Sequence, residues 1–350
     1  MPSTPPRPVQ VSMADVAAHA GVSAQTVSRV ANGTGTVVEA TKQRVLRSMA
    51  ALGYRPNSAA RALKLGSFRT IGVLSRTLST IGDVRIIDEI ARHAAAAGYA
   101  TTLIPLHEAP QAEIDRVFSR LQELAVDALI VNLEAPQLAR AAEMLPPGVP
   151  VVYTDPASPD AGVVIDTDQV GGARQATEHL VRLGHETVWH IAGPEESRPA
   201  ARRLDGWRSA LETAGRRIPT AVRGDWSVTS GYEQGRILAA REDVTAVFCA
   251  NDQMALGLYR ALGEAGRTVP GDVSVVGFDD TDDGRGYAPP LTSVHHETSD
   301  VGELCVRASL ALAHGDPVDP LAVVPTTLVV RDSTGPVRRA SSRGNTCAVP

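Results

Sequence analysis

The 350-residue sequence has little cysteine. Its three cysteines, Cys249, Cys305 and Cys347, are odd in number and far apart. That pattern excludes a disulfide framework, offers no metal-ligand spacing and suits a reducing cytoplasm. No run of ~18 apolar residues occurs, so a cytoplasmic protein with no membrane partner is expected. The opening "MPSTPPRPVQ" has no apolar stretch after its arginine and is no secretory signal; residues 1–9 read as a disordered lead. Also missing are a Gly-x-Ser-x-Gly elbow, a Walker loop and zinc-type Cys/His spacing. No catalytic residue, metal ligand or cofactor is therefore expected, and a sugar-acting enzyme lacks its constellation. His295-His296-Glu297 comes nearest to a metal motif, but adjacent strand residues point to opposite faces.

What is present is 43% hydrophobic residues, enough for real cores, in a chain longer than one compact domain usually is. The charge is uneven. Residues 1–70 carry nine Lys/Arg against two Asp/Glu, a net +7, and the remainder is −12, giving −5 for the whole. A basic head on an acidic body is expected where only the head meets phosphate.

Within the head, Ser12-Met-Ala-Asp15 has the form of a capping box. Val16 and Ala20 then share a helix face, and Gly21 permits a sharp turn. Ser23 is the N-cap candidate for a second helix that carries Val27 and Val30 inward. Helix, turn and helix make a helix-turn-helix, whose second helix enters the major groove. On its outward face Gln25 can bond an adenine edge, Arg29 can pair with guanine, and Ala24 can touch a thymine methyl. Ser23, Thr26 and Ser28 suit capping or phosphate contact, and Asn32 closes the set. A third helix over Val38–Leu52 places Val45, Leu46, Met49 and Leu52 in the core and stops at Gly53. In "YRPNSAARALKLG", Asn57, Ala60 and Leu63 belong to a helix too short to stand alone, which makes it a switchable element. Leu63 is placed to wedge between minor-groove base steps. The bland reading is a linker helix.

From residue 68 short apolar runs such as "TIGVLS", "DALIVN" and "TAVFCAND" alternate with helical segments, the pattern of an α/β protein with parallel sheets. Such sheets bind ligands beyond the C-terminal ends of their strands, where Asp155, Asp166, Asn251, Asp252, Asp279 and Asp280 stand.

"MADVAAHAGVSAQTVSRVANG" followed by "LGYRPNSAARAL" resembles the head and hinge of the LacI/GalR family. "GPEESRPAARRLDGW", "GDWSVTSGYEQG", "CANDQMALGLYRAL" and "VSVVGFDDTDDGRGYAPPLTSV" extend the resemblance over the body, nearest to galactoside- and glucoside-responsive members. The resemblance implies a core of two subdomains like periplasmic sugar-binding proteins, with the effector between them. It implies that hinge helices pair in the minor groove through Leu63. It also implies that Arg203 grips sugar hydroxyls, Asn251 both donates and accepts, Asp279 accepts, Asp155 meets an exocyclic hydroxyl, and Trp226 packs on the ring's apolar side. A transport sugar-binding protein would explain the body but not the DNA-binding head.

Two departures stand out. Relatives often place apolar side chains near Thr80–Asp83, where this chain has Gly82 and Asp83. After Pro289-Pro290-Leu291 relatives often read Gln-Asp-Phe, where this chain has His296-Glu297-Thr298; His296 joins the effector set. The sugar-ring contacts are kept and the second-substituent side is changed. No heptad leucines follow Ser333, so a dimer without a tetramerising helix is expected.

The domains expected are the helix-turn-helix at 10–56, hinge helix and linker at 57–67, core at 68–332, and a flexible tail at 333–350. The core divides into 68–166 with 294–325, and 167–293 with 326–332. The function expected is a homodimeric repressor of a near-palindromic double-stranded DNA operator, released by a small saccharide. The alternative is a co-repressed member with a non-sugar effector.

Overall fold

A computed structural model describes residues 11–32, 35–54, 66–75, 77–78, 80–105, 125–133, 145, 147–154 and 162–337. The expected lead, most of the hinge (with Asn57, Ala60 and Leu63) and Asp155 lie outside the described residues. The chain divides after Phe68 into two compact units.

The first unit holds helices α1 (Met13–Ala20), α2 (Ala24–Asn32) and α3 (Glu39–Leu52). The capping box forms: Ser12 Oγ accepts from the Asp15 amide at 3.3 Å, and the Ser12 amide donates to Asp15 Oδ2 at 2.8 Å. The Ser12 amide foremost, and the Ser12 hydroxyl donating to Asp15 Oδ2 at 2.7 Å, hold the Asp15 carboxyl below its usual pKa. Gly21 takes φ 61°, which a side chain would resist, and the chain turns directly into α2. Val16, Val27 and Val45 bury one face of each helix against the others. One expectation is corrected: Leu46 is 41% exposed. The buried face of α3 instead includes Ser48, one turn from Val45, whose hydroxyl donates to Arg44 O at 3.0 Å and meets His19 Nδ1 at 3.0 Å. This hydrogen-bonded serine ties α3 to α1.

The second unit contains two six-stranded sheets. The first has β1 (Thr70–Ser75), β2 (Ala100–Pro105), β3 (Ala128–Asn132), β4 (Val151–Thr154), β5 (Val163–Thr167) and β11 (Leu321–Val324), in the order β11-β5-β4-β3-β1-β2 and all parallel. Helix α4 (Ile81–Ala96) follows β1, and α10 (Thr298–His314) packs against it. The second sheet has β6 (Trp189–Ala192), β7 (Val222–Arg223), β8 (Ala246–Cys249), β9 (Ser274–Phe278), β10 (Thr292–His296) and β12 (Thr326–Val329). Its order is β12-β10-β9-β8-β6-β7, parallel except for β10 with β12. Around it lie α5 (Gln169–Arg182), α6 (Arg198–Thr213), α7 (Val228–Ala239), α8 (Asp252–Glu264) and the short α9 (Asp282–Arg285).

The inner strands of both sheets, β1 and β10 among them, are buried nearly end to end, as continuous apolar runs demand when both faces are covered, while the edge strands β2, β7, β11 and β12 are largely half-buried or exposed. The chain passes between the lobes three times, near Asp168, Glu297 and Pro325. Two boundaries move. Strand β10 stays in the second sheet through His296, so the second crossing comes after 296 rather than before 294. Residues 333–337 are not tail as expected: Ser333 is fully buried and its hydroxyl donates to Val275 O at 2.6 Å, and the Val337 amide donates to Leu183 O at 3.3 Å. Hydrogen bonds to β9 and to the end of α5 hold Ser333–Val337 in place, which a polar composition does not reveal.

Candidate DNA-reading helix and effector cleft

In the first unit Ser23 Oγ accepts from the Thr26 amide at 3.1 Å and opens α2 as its N-cap. Ala24, Gln25 and Arg29 are exposed, while Thr26, Ser28 and Asn32 are half-buried. Asn32 Nδ2 donates to Ser28 O at 2.8 Å and to Ser28 Oγ at 3.1 Å. Both residues are thereby partly engaged in closing the helix end, and Gln25 and Arg29 present the reach and donors needed at base edges.

In the second unit a cleft lies at the C-terminal ends of the strands of both sheets, with a cavity volume of about 120 Å³. From the second lobe come Arg203 on α6, Trp226 before α7, Asn251 at the start of α8, Asp279 after β9 and His296 at the end of β10. Five residues expected from separate stretches therefore line one cavity.

Arg203 is 6% exposed. Its Nε donates to Gln169 Oε1 at 2.7 Å, its Nη1 to Ala250 O, and its Nη2 lies 3.4 Å from Asp279 Oδ1. Its guanidinium carbon sits 3.6 Å from the Phe278 ring centre and 5.5 Å from that of Trp226. A planar, delocalised cation suits such stacking and keeps its edge for directional bonds. His296 is 5% exposed; its Nε2 is 3.5 Å from Asp279 Oδ1, and neither ring nitrogen has a hydrogen-bond partner. Both contacts to Asp279 are longer than the roughly 2.7–2.9 Å typical of charge-assisted bonds.

Asn251 is narrower than expected. Its Oδ1 caps α8 through the Met254 amide at 2.9 Å, and Nδ2 donates to Trp226 O at 3.0 Å and Gln253 Oε1 at 2.9 Å. Both its donors are taken, so what it offers a ligand is a remaining lone pair. It also fixes Trp226, whose φ of 76° is strained for a bulky side chain; Asp279 and Asp280 are likewise at φ 99° and 46°. Strain of this kind gathers at sites that hold a ligand. Asp252 lies beneath, fully buried, accepting from the Thr281 amide at 2.7 Å and Ser293 Oγ at 2.6 Å. Burial, and then the charge of Asp279, push its carboxyl up to about 7. His190, stacked on Phe248 with ring centres 4.7 Å apart, is pushed down to about 4 by burial and packs in the core behind the cleft rather than lining it.

Sequence reasoning missed several supporting groups. Gln169 orients Arg203. Gly193 lets Trp226 lie on the backbone, because a Cβ there would come within 2.5 Å of the ring. Arg85 Nη1 reaches across from the first lobe to Asp279 O at 3.1 Å and Asp280 O at 3.3 Å. Arg202 pairs with Asp166. His295 and His296 face opposite ways: His295 Nδ1 lies 3.2 Å from Asp280 Oδ2 and Nε2 lies 3.4 Å from Glu297 Oε2.

Comparison with known proteins agrees with both halves of this reading. Residues 12–57 match the model of bacterial regulatory proteins of the lacI family, and residues 177–334 match a periplasmic binding protein-like domain. The lactose operon repressor of Escherichia coli K12 is 36% identical over 327 residues, covering 93% of this chain and 91% of the relative. The chain belongs to the lacI family. The HTH-type transcriptional repressor PurR of Mannheimia succiniciproducens is 33% identical over 331 residues, covering 91% of this chain and 97% of the relative. A crystal structure of the lac repressor dimer bound to operator and the anti-inducer ONPF matches with a TM-score of 0.82 at 34% identity, covering 93% of this chain and 99% of that one. As a family member the chain is a DNA-binding, effector-regulated transcriptional repressor, and its homologues are repressors rather than enzymes. Among the described residues no helix is long and apolar enough to cross a membrane.

Proposed function

We propose that this repressor acts as a homodimer on a near-palindromic operator and leaves it when a small saccharide, a galactoside or glucoside, enters the cleft. The observation that carries the effector class is the corner where Arg203, Asp279 and His296 meet beside Trp226. A pyranose has hydroxyls around its rim and apolar faces. It needs directional charged bonds and one flat wall together, which this corner supplies. Gln25 and Arg29 read bases in the major groove; Ser23, Thr26, Ser28, Asn32 and Ala24 position or contact the DNA around them. The hinge residues Asn57, Ala60 and Leu63 and the carboxylate Asp155 keep the roles that the family resemblance implies.

Sugar bound between the lobes draws on both, and Arg85 already joins the first lobe to the backbone that bears Asp279. Closing the lobes in this way changes the state presented to the hinge, with a coupling of about 1–3 kcal/mol between effector and operator. A thermal-shift panel of saccharides and nucleobases tests the effector class, since a ligand stabilises the state that binds it. Stabilisation by galacto- or gluco-configured sugars is expected. A flat response to sugars with a hit from a nucleobase contradicts it.

A further inference from the structure

The ring of His295 stands between two carboxylates at a crossing between the lobes, outside the effector cleft. Its Nδ1 is buried, forms no hydrogen bond and lies 3.2 Å from Asp280 Oδ2; its Nε2 lies 3.4 Å from Glu297 Oε2. Asp280 belongs to the second lobe, in the loop after β9. Glu297 is the N-cap of the first-lobe helix α10, where its Oε1 accepts from the Ser299 amide at 3.4 Å. Residues two apart on an extended chain share a side, so the His295–Glu297 contact spans the backbone of His296 where the chain changes lobe. A change of lobe angle is taken up in a few crossing residues of this kind.

The groups around the ring fix Asp280. Arg331, after β12, donates Nη2 to Asp280 Oδ1 at 2.6 Å and leaves Oδ2 facing the imidazole. The Asp280 amide donates to Ser293 Oγ at 3.1 Å, and that hydroxyl donates on to Asp252 Oδ1 at 2.6 Å. From the first lobe, Arg85 Nη1 donates to Asp280 O at 3.3 Å. His296 points the other way, to Asp279, and Thr327, opposite His295 on β12, carries no charge.

A neutral imidazole has one N–H and one lone pair, so it donates to one of the two carboxylates and turns a lone pair on the other; an imidazolium donates to both. Histidine is the side chain that makes this change between about pH 5 and 8. We propose that His295 is a proton-operated latch between the lobes: the imidazolium ties Asp280 to Glu297 and fixes the crossing, and the neutral ring releases one of them. The arrangement so fixed is one in which the lobes already touch, Arg85 on Asp279 O and Arg202 on Asp166, and a ligand between the lobes favours the same arrangement. Protons therefore act in the direction of the effector, and operator affinity falls as pH drops through the histidine range. That direction rests on the reading in which the effector releases the operator; the latch itself does not.

The test is an anisotropy titration of the full chain on DNA selected with it from a random library, without saccharide, from about pH 8 down to about pH 6. Ionic strength is held constant, because phosphate contacts make any affinity salt-dependent. Wild type is compared with His295→Gln, which keeps a donor and cannot gain a charge. The second variant, Glu297→Gln, keeps an acceptor to cap α10 and loses the charge that faces the ring. The other histidines and Asp252 are common to all three proteins, so a difference between their pH profiles belongs to the latch. Across that range wild type is expected to lose about threefold more affinity than either variant, the scale of an ion pair at a ring 37% exposed. Parallel profiles overturn the latch, whether or not a saccharide releases the operator. A gain of affinity towards low pH that depends on His295 overturns the direction, and release by the effector with it.

Discussion

Arg203 Nη2 lies 3.4 Å from Asp279 Oδ1, with each side chain 7% exposed, across the junction of α6 and the loop after β9. Neither charge is stable there alone. Arg203→Ala therefore leaves Asp279 buried without its guanidinium, at a cost of about 3–5 kcal/mol in stability, and removes the effector response. Arg203→Lys keeps the charge and loses the fork. It is expected to lower saccharide affinity by about tenfold or more, the weight of one charge-assisted bond. Calorimetry on both variants, beside chemical denaturation, checks this; wild-type saccharide affinity in Arg203→Lys would show that the fork does not touch the sugar.

Arg29→Ala should cost roughly 1–3 kcal/mol on the preferred operator and relax the preference at one base pair. Gln25→Ala should do the same at a different pair. Anisotropy titrations against single-base operator variants measure both. An equal loss on every sequence would assign Arg29 to phosphate.

How much of this could be read beforehand depended on whether a residue's role is local. Ser12 with Asp15, the turn at Gly21 and the cap at Ser23 are decided within four residues of chain, so their pattern is visible in the sequence. Asn251 and Asp279 are legible as polar strand ends of an α/β fold, but Arg203, Trp226 and His296 are legible only through family resemblance, because nothing in their spacing says they meet. The links Asp83–Asn132 and Asn132–Thr154 join three strand and helix ends through the sheet order, and no sequence pattern encodes them. Leu46 and Ser48 show the other limit. The period through Val45, Met49 and Leu52 also passes Ser48, which its polarity hides and which is buried because it finds His19, whereas Leu46 lies off that face. Ser333 was read as tail because its partner, Val275, is far away in sequence.

Gly193→Ala puts a methyl group into the ring of Trp226, 2.5 Å from its nearest atoms. The indole must move, since the alternative is to shift the backbone at the end of β6. Tryptophan emission is expected to change and saccharide affinity to fall, with operator binding retained. Unchanged emission and affinity would mean that the ring does not form the wall of the sugar site.

Asp252 gives a pH dependence with a definite sign. Its carboxyl titrates at about 7 when folded, against 3.8 for an unperturbed aspartate, so the folded chain binds the extra proton between those values. Its contribution to stability is present below about pH 4 and is lost as pH rises towards 7, with a slope of at most about 1.4 kcal/mol per pH unit. Asp252→Asn cannot titrate, and the hydroxyl of Ser293 can turn to accept from the new amide. Denaturation of the two proteins from pH 4 to 8 is expected to show the variant gaining on wild type as pH rises to 7 and then running parallel. Parallel curves throughout would mean that Asp252 is ionised at all these values.

The central claim is that occupancy of the Arg203 corner by a saccharide sets operator affinity. The direct measurement is an anisotropy titration of the full chain on DNA selected with it from a random library, with and without the saccharide that stabilises it most, in wild type and Arg203→Lys. The account predicts a fall in wild-type operator affinity of about fivefold or more, the low end of an allosteric coupling, and a shift of that response to higher saccharide concentration in the variant. Operator affinity that does not move with the bound saccharide, or that rises with it, contradicts the account.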